Sequence, residues 1–189
     1  MWNHVEFRDS KSKEDEFFRN LDRELFRKWR RRLEAERQLN ELSAATGIVD
    51  REILLELQNL GYEPASATLL HIVPLVRVAW SDGIVNSPER QRISQIAGRR
   101  GVDHEDPEWL KLMVYLDDRP SDQFFRLTLR ALRESLETVP REEQERSRRE
   151  LLADCTSVAL VSGGPIGFGK MSQAERVAID EIAAAVRLC

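Results

Sequence analysis

The chain has 189 residues, which is enough for one domain with an extension and too few for two domains of ordinary size. Hydrophobic residues make up 41% and charged residues 33% of the sequence, a combination that favours a helical protein with a charged surface over a disordered one. The net charge is only −4, so the chain lacks the strong overall field that recruits nucleic acid.

Residues 12–46 have the pattern of one long polar helix. Apolar residues recur along it at three- and four-residue intervals and form a stripe, namely Phe18, Leu21, Leu25, Trp29 and Leu33. Residues 19–37 carry eight basic and four acidic side chains, so the stripe lies on a basic helix. This pattern predicts that the helix packs on the bundle or docks to a protein partner. Peripheral contact with an anionic membrane surface is a weaker alternative, and binding to nucleic acid is disfavoured. We treat residues 1–41 as a charged helical extension and residues 42–189 as the main domain.

Apolar spacing and capping residues predict seven further helices. Pro74 lies inside the apolar run LLHIVPLVRVAW, and we expect a kink there because proline removes a backbone donor. No segment shows the sustained alternation of a strand. We therefore predict an all-α protein, a single bundle of about eight helices with the long N-terminal helix. The seven helices are expected to begin at or near Asp50, Pro64, Asn86, Asp106, Ser121, Pro140 and Ser172.

Two helical hairpins inside the bundle form a weak repeat. In each, an apolar helix ends at a glycine-containing turn, WSDG at 80–83 and VSGG at 161–164. The next helix then opens with Asn86 and Glu89, or with Ser172 and Glu175, at the spacing of a capping box. This pattern favours a duplicated hairpin, although any two helical hairpins can share such end signals.

The stretch LVRVAWSDGIVNSPERQRISQIAGRRG resembles the tellurite-resistance TerB-like family, whose hairpins share an Asp-Gly turn followed by a helix-opening glutamate. The later stretch VALVSGGPIGFGKMSQAE is similar to the second hairpin of longer members, which have a glycine-rich insert there. The upstream stretch LSAATGIVDREILLELQNLGYEP is similar to their lead-in, so the resemblance covers residues 42–188. It implies a bacterial all-helical module, cytosolic or membrane-peripheral, that is associated with stress response and resistance to metal oxyanions and has no known enzymatic reaction.

The resemblance also implies a divalent-cation site. Family members carry acidic hairpin residues that have been proposed to bind metal, and by position these are Asp82, Glu89 and Glu175. The expected ion is Ca²⁺ or Mg²⁺, because hard cations prefer carboxylate and carbonyl oxygens. The second hairpin departs from the pattern, since Ser162 and Gly163 stand where an aspartate is wanted. The alternative is structural: capping explains both glutamates, and turn formation explains Asp82.

A glycine-rich loop matches the phosphate-binding pattern G-x-x-x-x-G-K with Gly164, Gly169 and Lys170. Met171 occupies the position where a phosphate-binding loop needs Ser or Thr for Mg²⁺, and no later strand supplies a second acidic residue. We therefore expect this loop, together with Ser172 at the start of the last helix, to contact an anion or a partner. A nucleotide-binding enzyme is the remote alternative, and we expect no enzymatic activity.

The cysteine content and hydropathy predict where the protein resides. Cys155 and Cys189 are too few for a disulfide framework and fit a reducing compartment. No apolar run is long enough for a signal-peptide core or a transmembrane helix. We expect a cytoplasmic protein that acts through an unidentified protein partner.

Overall fold

The computed structural model describes residues 4–161 and 171–187, with side chains from Arg19 onward except that of Asn20. Over these residues it consists of eight α-helices and two short 3-10 helices, with no strand, so the predicted all-α bundle is confirmed. The 3-10 helices are Ala65–His71 and Trp80–Asp82. The α-helices are α1 (His4–Thr46), α2 (Arg51–Asn59), α3 (Val73–Ala79), α4 (Ser87–Arg99), α5 (Pro107–Asp117), α6 (Asp122–Glu137), α7 (Arg141–Val161) and α8 (Gln173–Ala185).

The chain divides into two compact units, residues 1–40 and residues 41–189. The described part of the first unit is residues 4–40 of α1. This helix starts ahead of the predicted position, and residues 4–11 contain neither proline nor glycine to prevent it. The described members of the predicted apolar stripe are open to solvent, with exposed fractions between 41% and 59% for Leu21, Leu25, Trp29 and Leu33. The side chain of Phe18 lies outside the described residues, and the neighbouring Phe26 is 64% exposed and extends the stripe.

The second unit is organised around α3, which packs against α4, α6, α7 and α8. Every residue of α3 except Arg77 is buried, as is typical of a helix that is apolar on all sides. The prediction of a single helix from Pro64 with a kink at Pro74 is wrong. The 3-10 helix Ala65–His71 comes first, and Pro74 lies in the first turn of α3, where its missing N–H removes no intrahelical hydrogen bond.

The two predicted hairpins pack against each other in the second unit. Helix α7 contacts α3 and α4, while α8 contacts α3 and the 3-10 helix Trp80–Asp82. Polar contacts join the hairpins at several points. Arg77 pairs with Glu181 at 3.1 Å, and Arg92 Nε donates to Ser157 Oγ at 3.0 Å. At the end of α4, Arg99 and Arg100 both pair with Asp154 of α7, at 3.4 Å and 2.8 Å. Between them lies a core that includes Cys155, which is fully buried.

Candidate functional site

The starts of α4 and α8 are closed by capping boxes, as predicted from the sequence. At α4, the Glu89 N–H donates to Asn86 Oδ1 at 3.0 Å, and the Asn86 N–H donates to Glu89 Oε2 at 2.9 Å. At α8, the Glu175 N–H donates to Ser172 Oγ at 3.2 Å, and the Ser172 N–H donates to Glu175 Oε2 at 2.5 Å. Each box satisfies two donors that a helix start otherwise leaves without partners, and each carboxylate lies at the positive end of a helix dipole.

Both capping glutamates are buried, which the sequence did not indicate. Glu89 is 1% exposed and Glu175 is 2% exposed, whereas glutamate is almost never buried to this degree without a partner. The pKa of Glu89 is raised to about 7: burial is the main cause, the Asn86 N–H acts in the opposite direction, and the negative charges of Asp82 and Glu175 add to the rise. The structure therefore brings both Asp82 and Glu175 within electrostatic range of Glu89.

Asp82 is the exposed member of this group and ends the 3-10 helix Trp80–Asp82. Its Oδ1 accepts a hydrogen bond from the Ile84 N–H at 3.1 Å, which is the local turn that aspartate favours. Gly83 follows with a φ of 95°, a left-handed conformation in which glycine avoids the strain of a Cβ. We refer to Asp82, Glu89 and Glu175 below as the acidic face.

The end of α5 holds the two elements of the first hairpin in place. Trp80 Nε1 donates to the Tyr115 carbonyl at 2.9 Å. Arg90 reaches the Leu116 carbonyl at 3.0 Å and Asp117 Oδ1 at 2.6 Å, where a cation suits the negative end of a helix. These contacts position Asp82 and Glu89, and no sequence pattern predicts them because they join residues far apart in the chain.

The acidic face is not a preformed metal centre. Over the part of the chain that the structure describes, no group of three or more His, Cys, Asp and Glu side chains is arranged to hold a metal ion. One oxygen of each capping glutamate accepts a backbone hydrogen bond, which is the structural role foreseen as the alternative. Cation binding at Asp82, Glu89 and Glu175 therefore stays a prediction.

The glycine-rich loop lies outside the described residues, so the structure does not address the roles predicted for Gly164, Gly169 and Lys170. Ser172 is described, and it is the N-cap of α8. Residues 158–161, which a phosphate-binding loop of the nucleotide-hydrolysing kind needs as a strand, form the end of α7 instead. The nucleotide-binding alternative thus has no strand before its loop.

Two groups of the second unit, the half-buried His71 and the fully buried Cys155, have pKa values shifted by their surroundings. Burial, aided by the positive charge of Arg100, lowers the pKa of His71 to about 4, so the imidazole is neutral at pH 7. Burial raises the pKa of the Cys155 thiol, which keeps it protonated and a poor nucleophile. Neither group has the environment of an activated acid, base or nucleophile.

Neither the hydropathy of the helices nor comparison with known proteins assigns a function to the chain. None of the helices in the described ranges combines the length and the apolar character needed to cross a membrane. Comparison of the chain with protein-family models, curated proteins and solved structures gave no match. The resemblance to the TerB-like family accordingly rests on the hairpin motifs quoted above.

Proposed function

We propose that the chain is a non-enzymatic interaction or sensing module of the TerB-like type, and that a divalent cation, Ca²⁺ or Mg²⁺, is the signal it senses at the acidic face. The supporting observation is that Glu89 and Glu175, one from each hairpin, are buried, and that Glu89 lies within electrostatic range of both Glu175 and Asp82. Like charges held together in this way repel, and a cation offsets that repulsion. Binding would therefore stabilise the packing of one hairpin on the other.

The exposed Asp82 provides the route of entry for such an ion. Ca²⁺ takes roughly six to eight oxygen ligands and Mg²⁺ keeps several waters, so backbone carbonyls of the turn and water would complete the coordination. A metal ion needs its carboxylate ligands ionised. Because the pKa of Glu89 is about 7, the affinity should fall as the pH is lowered below 7, and binding near neutral pH should release a proton.

Thermal unfolding of the full chain with increasing Ca²⁺, Mg²⁺, Mn²⁺ or Zn²⁺ tests this function. At a hundredfold excess over Kd, binding to the native state adds about 2.7 kcal/mol, which raises Tm on the order of 5–10 °C in a chain of this size. We expect Asp82→Asn to abolish the shift. The exposed Asp180, on α8, supplies a matched control, and Asp180→Asn should retain it. Absence of a shift with every ion, or an unchanged shift in Asp82→Asn, would contradict the proposal.

A second candidate function is supported by α1. Its apolar stripe is exposed, from 41% at Leu21 to 64% at Phe26, and a row of exposed apolar residues marks an interaction surface. The same segment, residues 19–37, carries a charge of +4. Under this alternative the protein is a ligand-free adaptor that docks through its basic N-terminal helix to a partner or a membrane surface.

Removal of residues 1–40 distinguishes the adaptor from the cation sensor. The adaptor predicts that the full chain assembles in sedimentation experiments, or floats with vesicles that contain phosphatidylserine, and that the shortened chain does neither. The sensor predicts that the shortened chain keeps its cation response. If the full and the shortened chain behave alike in both sedimentation and flotation, the adaptor function is contradicted.

A further inference from the structure

A groove of about 500 Å³ lies between α3, α6 and α8. This volume is within the roughly 300–1,000 Å³ of ligand-binding clefts in proteins. Four arginines and two carboxylates surround an apolar floor made by Phe125, Leu129 and Ala185. No residue of the acidic face lines the groove, so it is a separate feature of the second unit.

Helix α6 supplies most of the lining. Arg126, Arg130 and Arg133 follow one another at i, i+4 and i+7, a spacing that places them on one side of a helix. Phe125 and Leu129 lie on the same side, and Phe125 is buried while Leu129 is half-buried. The groove therefore combines an apolar strip with a row of guanidinium groups.

Three of the four arginines are held in position by acidic neighbours. Arg130 pairs with Glu56 at 3.4 Å, and Arg133 pairs with Glu134 at 3.2 Å. Arg77, from α3, pairs with Glu181 and lies 5.8 Å from the centroid of a phenylalanine ring in the groove floor. Side chains held in this way lose less conformational entropy when a ligand binds.

Arg126 differs from the other three. It is exposed, and no hydrogen bond or ion pair joins its side chain to any residue that the structure describes. Its positive charge contributes to the field that lowers the pKa of the Asp122 carboxyl, for which the hydrogen bond from Arg119 is the main cause. Arg126 is thus a guanidinium at the edge of the groove with its donors available to a ligand.

The charge and polarity of the groove specify the chemistry of its ligand. The lining carries a net charge of +2, against −4 for the whole chain, so it selects an anionic group. Guanidinium groups bind carboxylates through two parallel hydrogen bonds. A small inorganic anion would leave the apolar floor in contact with water, whereas an amphipathic segment with carboxylates beside apolar side chains matches both parts.

We propose that this groove docks an acidic amphipathic segment of a protein partner. One carboxylate of the segment pairs with Arg126, a second lies beside Arg130 and Arg133, and an apolar side chain covers Leu129 and Ala185, the two floor residues that are not already buried. This inference is independent of the cation site, because the two surfaces share no residue.

Fluorescence anisotropy of the full chain with a labelled synthetic peptide tests the proposal. The peptide places Glu and Leu at helical spacing, and a second peptide replaces each Glu with Lys. We expect the acidic peptide to bind and the Lys peptide not to bind. Arg126→Glu should weaken binding by about tenfold or more, because one charge-assisted contact becomes repulsive.

Two further variants complete the experiment. Arg176→Glu makes the same charge change on α8, about 140° around that helix from Glu181, and should leave the affinity within about twofold. Leu129→Ala should weaken binding several-fold by removing part of the apolar floor, and circular dichroism verifies that each variant is folded. Equal binding of both peptides, or no effect of Arg126→Glu, would overturn the proposal. So would displacement of the peptide by pyrophosphate at equal concentration or tighter binding of a single-stranded oligonucleotide, since either would assign the groove to phosphate.

Discussion

One carboxylate, Glu89, makes the start of α4 sensitive to pH. Its ordinary pKa of 4.5 is raised to about 7 in the folded protein, so the fold favours the protonated form. The contribution of Glu89 to the free energy of unfolding is therefore complete below pH 4.5 and is lost as the pH rises through 7. A protonated carboxyl still has a carbonyl oxygen that can accept the Asn86 N–H, so the capping box survives protonation.

Replacing Glu89 with glutamine should remove this dependence. Glutamine keeps the size and the accepting oxygen but never ionises, so we expect Glu89→Gln to be more stable than the parent at pH 8, on the order of 2 kcal/mol, and about equally stable at pH 4.5. Urea denaturation at both pH values measures the difference. Glu150→Gln, at an exposed position on α7, is the control and should show no such change with pH. A difference between Glu89→Gln and the parent that is the same at both pH values would contradict the expectation.

The positive-φ glycines that follow α1 and α2 differ in their surroundings. Gly47 ends α1 with a φ of 74°, and Gly61 follows α2 with a φ of 84°. A Cβ added at Gly47 would lie 2.5 Å from Thr138 Oγ1, while a Cβ at Gly61 would meet nothing within 4 Å. The two positions therefore share backbone strain and differ in close contact.

Alanine substitution at these two glycines separates the two effects. Gly61→Ala should cost about 1 kcal/mol of stability, from left-handed backbone strain alone. Gly47→Ala should cost that amount and roughly 1–3 kcal/mol more, because Thr138 has to move. Chemical denaturation of the two variants provides the measurement, and equal losses would show that the contact with Thr138 has no energetic consequence.

The starts of helices could be predicted from the sequence where they depend on neighbouring residues alone. Asp50, Asn86, Ser121 and Ser172 were expected to start helices, and each is an N-cap whose side chain accepts a backbone hydrogen bond. Pro74 was misread because a proline in an apolar run signals either a kink or a helix start. The choice depends on the residues before it, which here adopt the tighter 3-10 geometry.

The two surfaces for which we propose a function could be predicted only in part, because they depend on contacts between distant residues. The spacing of Asn86 and Glu89 indicated a cap, but nothing local to it indicated that the carboxylate is buried near Glu175. The spacing of Arg126, Arg130 and Arg133 was visible in the sequence as a basic helical side. That α3 and α8 close a groove beside it follows only from tertiary packing.

At the scale of the whole molecule, the second unit has a core of its own. Its central helix, α3, is surrounded by α4, α6, α7 and α8, which all belong to residues 41–189. Residues 41–46 of α1 belong to this unit as well, and Leu42 and Thr46 among them are buried. The contacts that define the unit are therefore kept when the chain begins at residue 41.

A chain that starts at Glu41 should accordingly fold. We expect its Tm to lie within a few degrees of that of the full chain, because the removed residues add few buried apolar side chains. The helical circular-dichroism signal should fall only by the share that residues 4–40 contribute. Thermal unfolding followed by circular dichroism measures both quantities. A shortened chain that aggregates or lacks a cooperative transition would show that the first unit is needed for folding.

Chemical modification of the buried Cys155 thiol can be used to measure how often the two hairpins separate. This cysteine lies on α7, which contacts α3, α4 and α8, so a reagent reaches the sulfur only when the hairpins separate, and fraying at helix ends does not expose it. In a Cys189→Ser variant, where Cys155 is the single cysteine, the rate of thiol modification relative to a free thiol measures the population of that opened state. A ligand that binds only while the hairpins are packed together lowers the rate of modification by a factor of one plus the ratio of free ligand concentration to Kd, so occupancy can be followed without labelling the ligand.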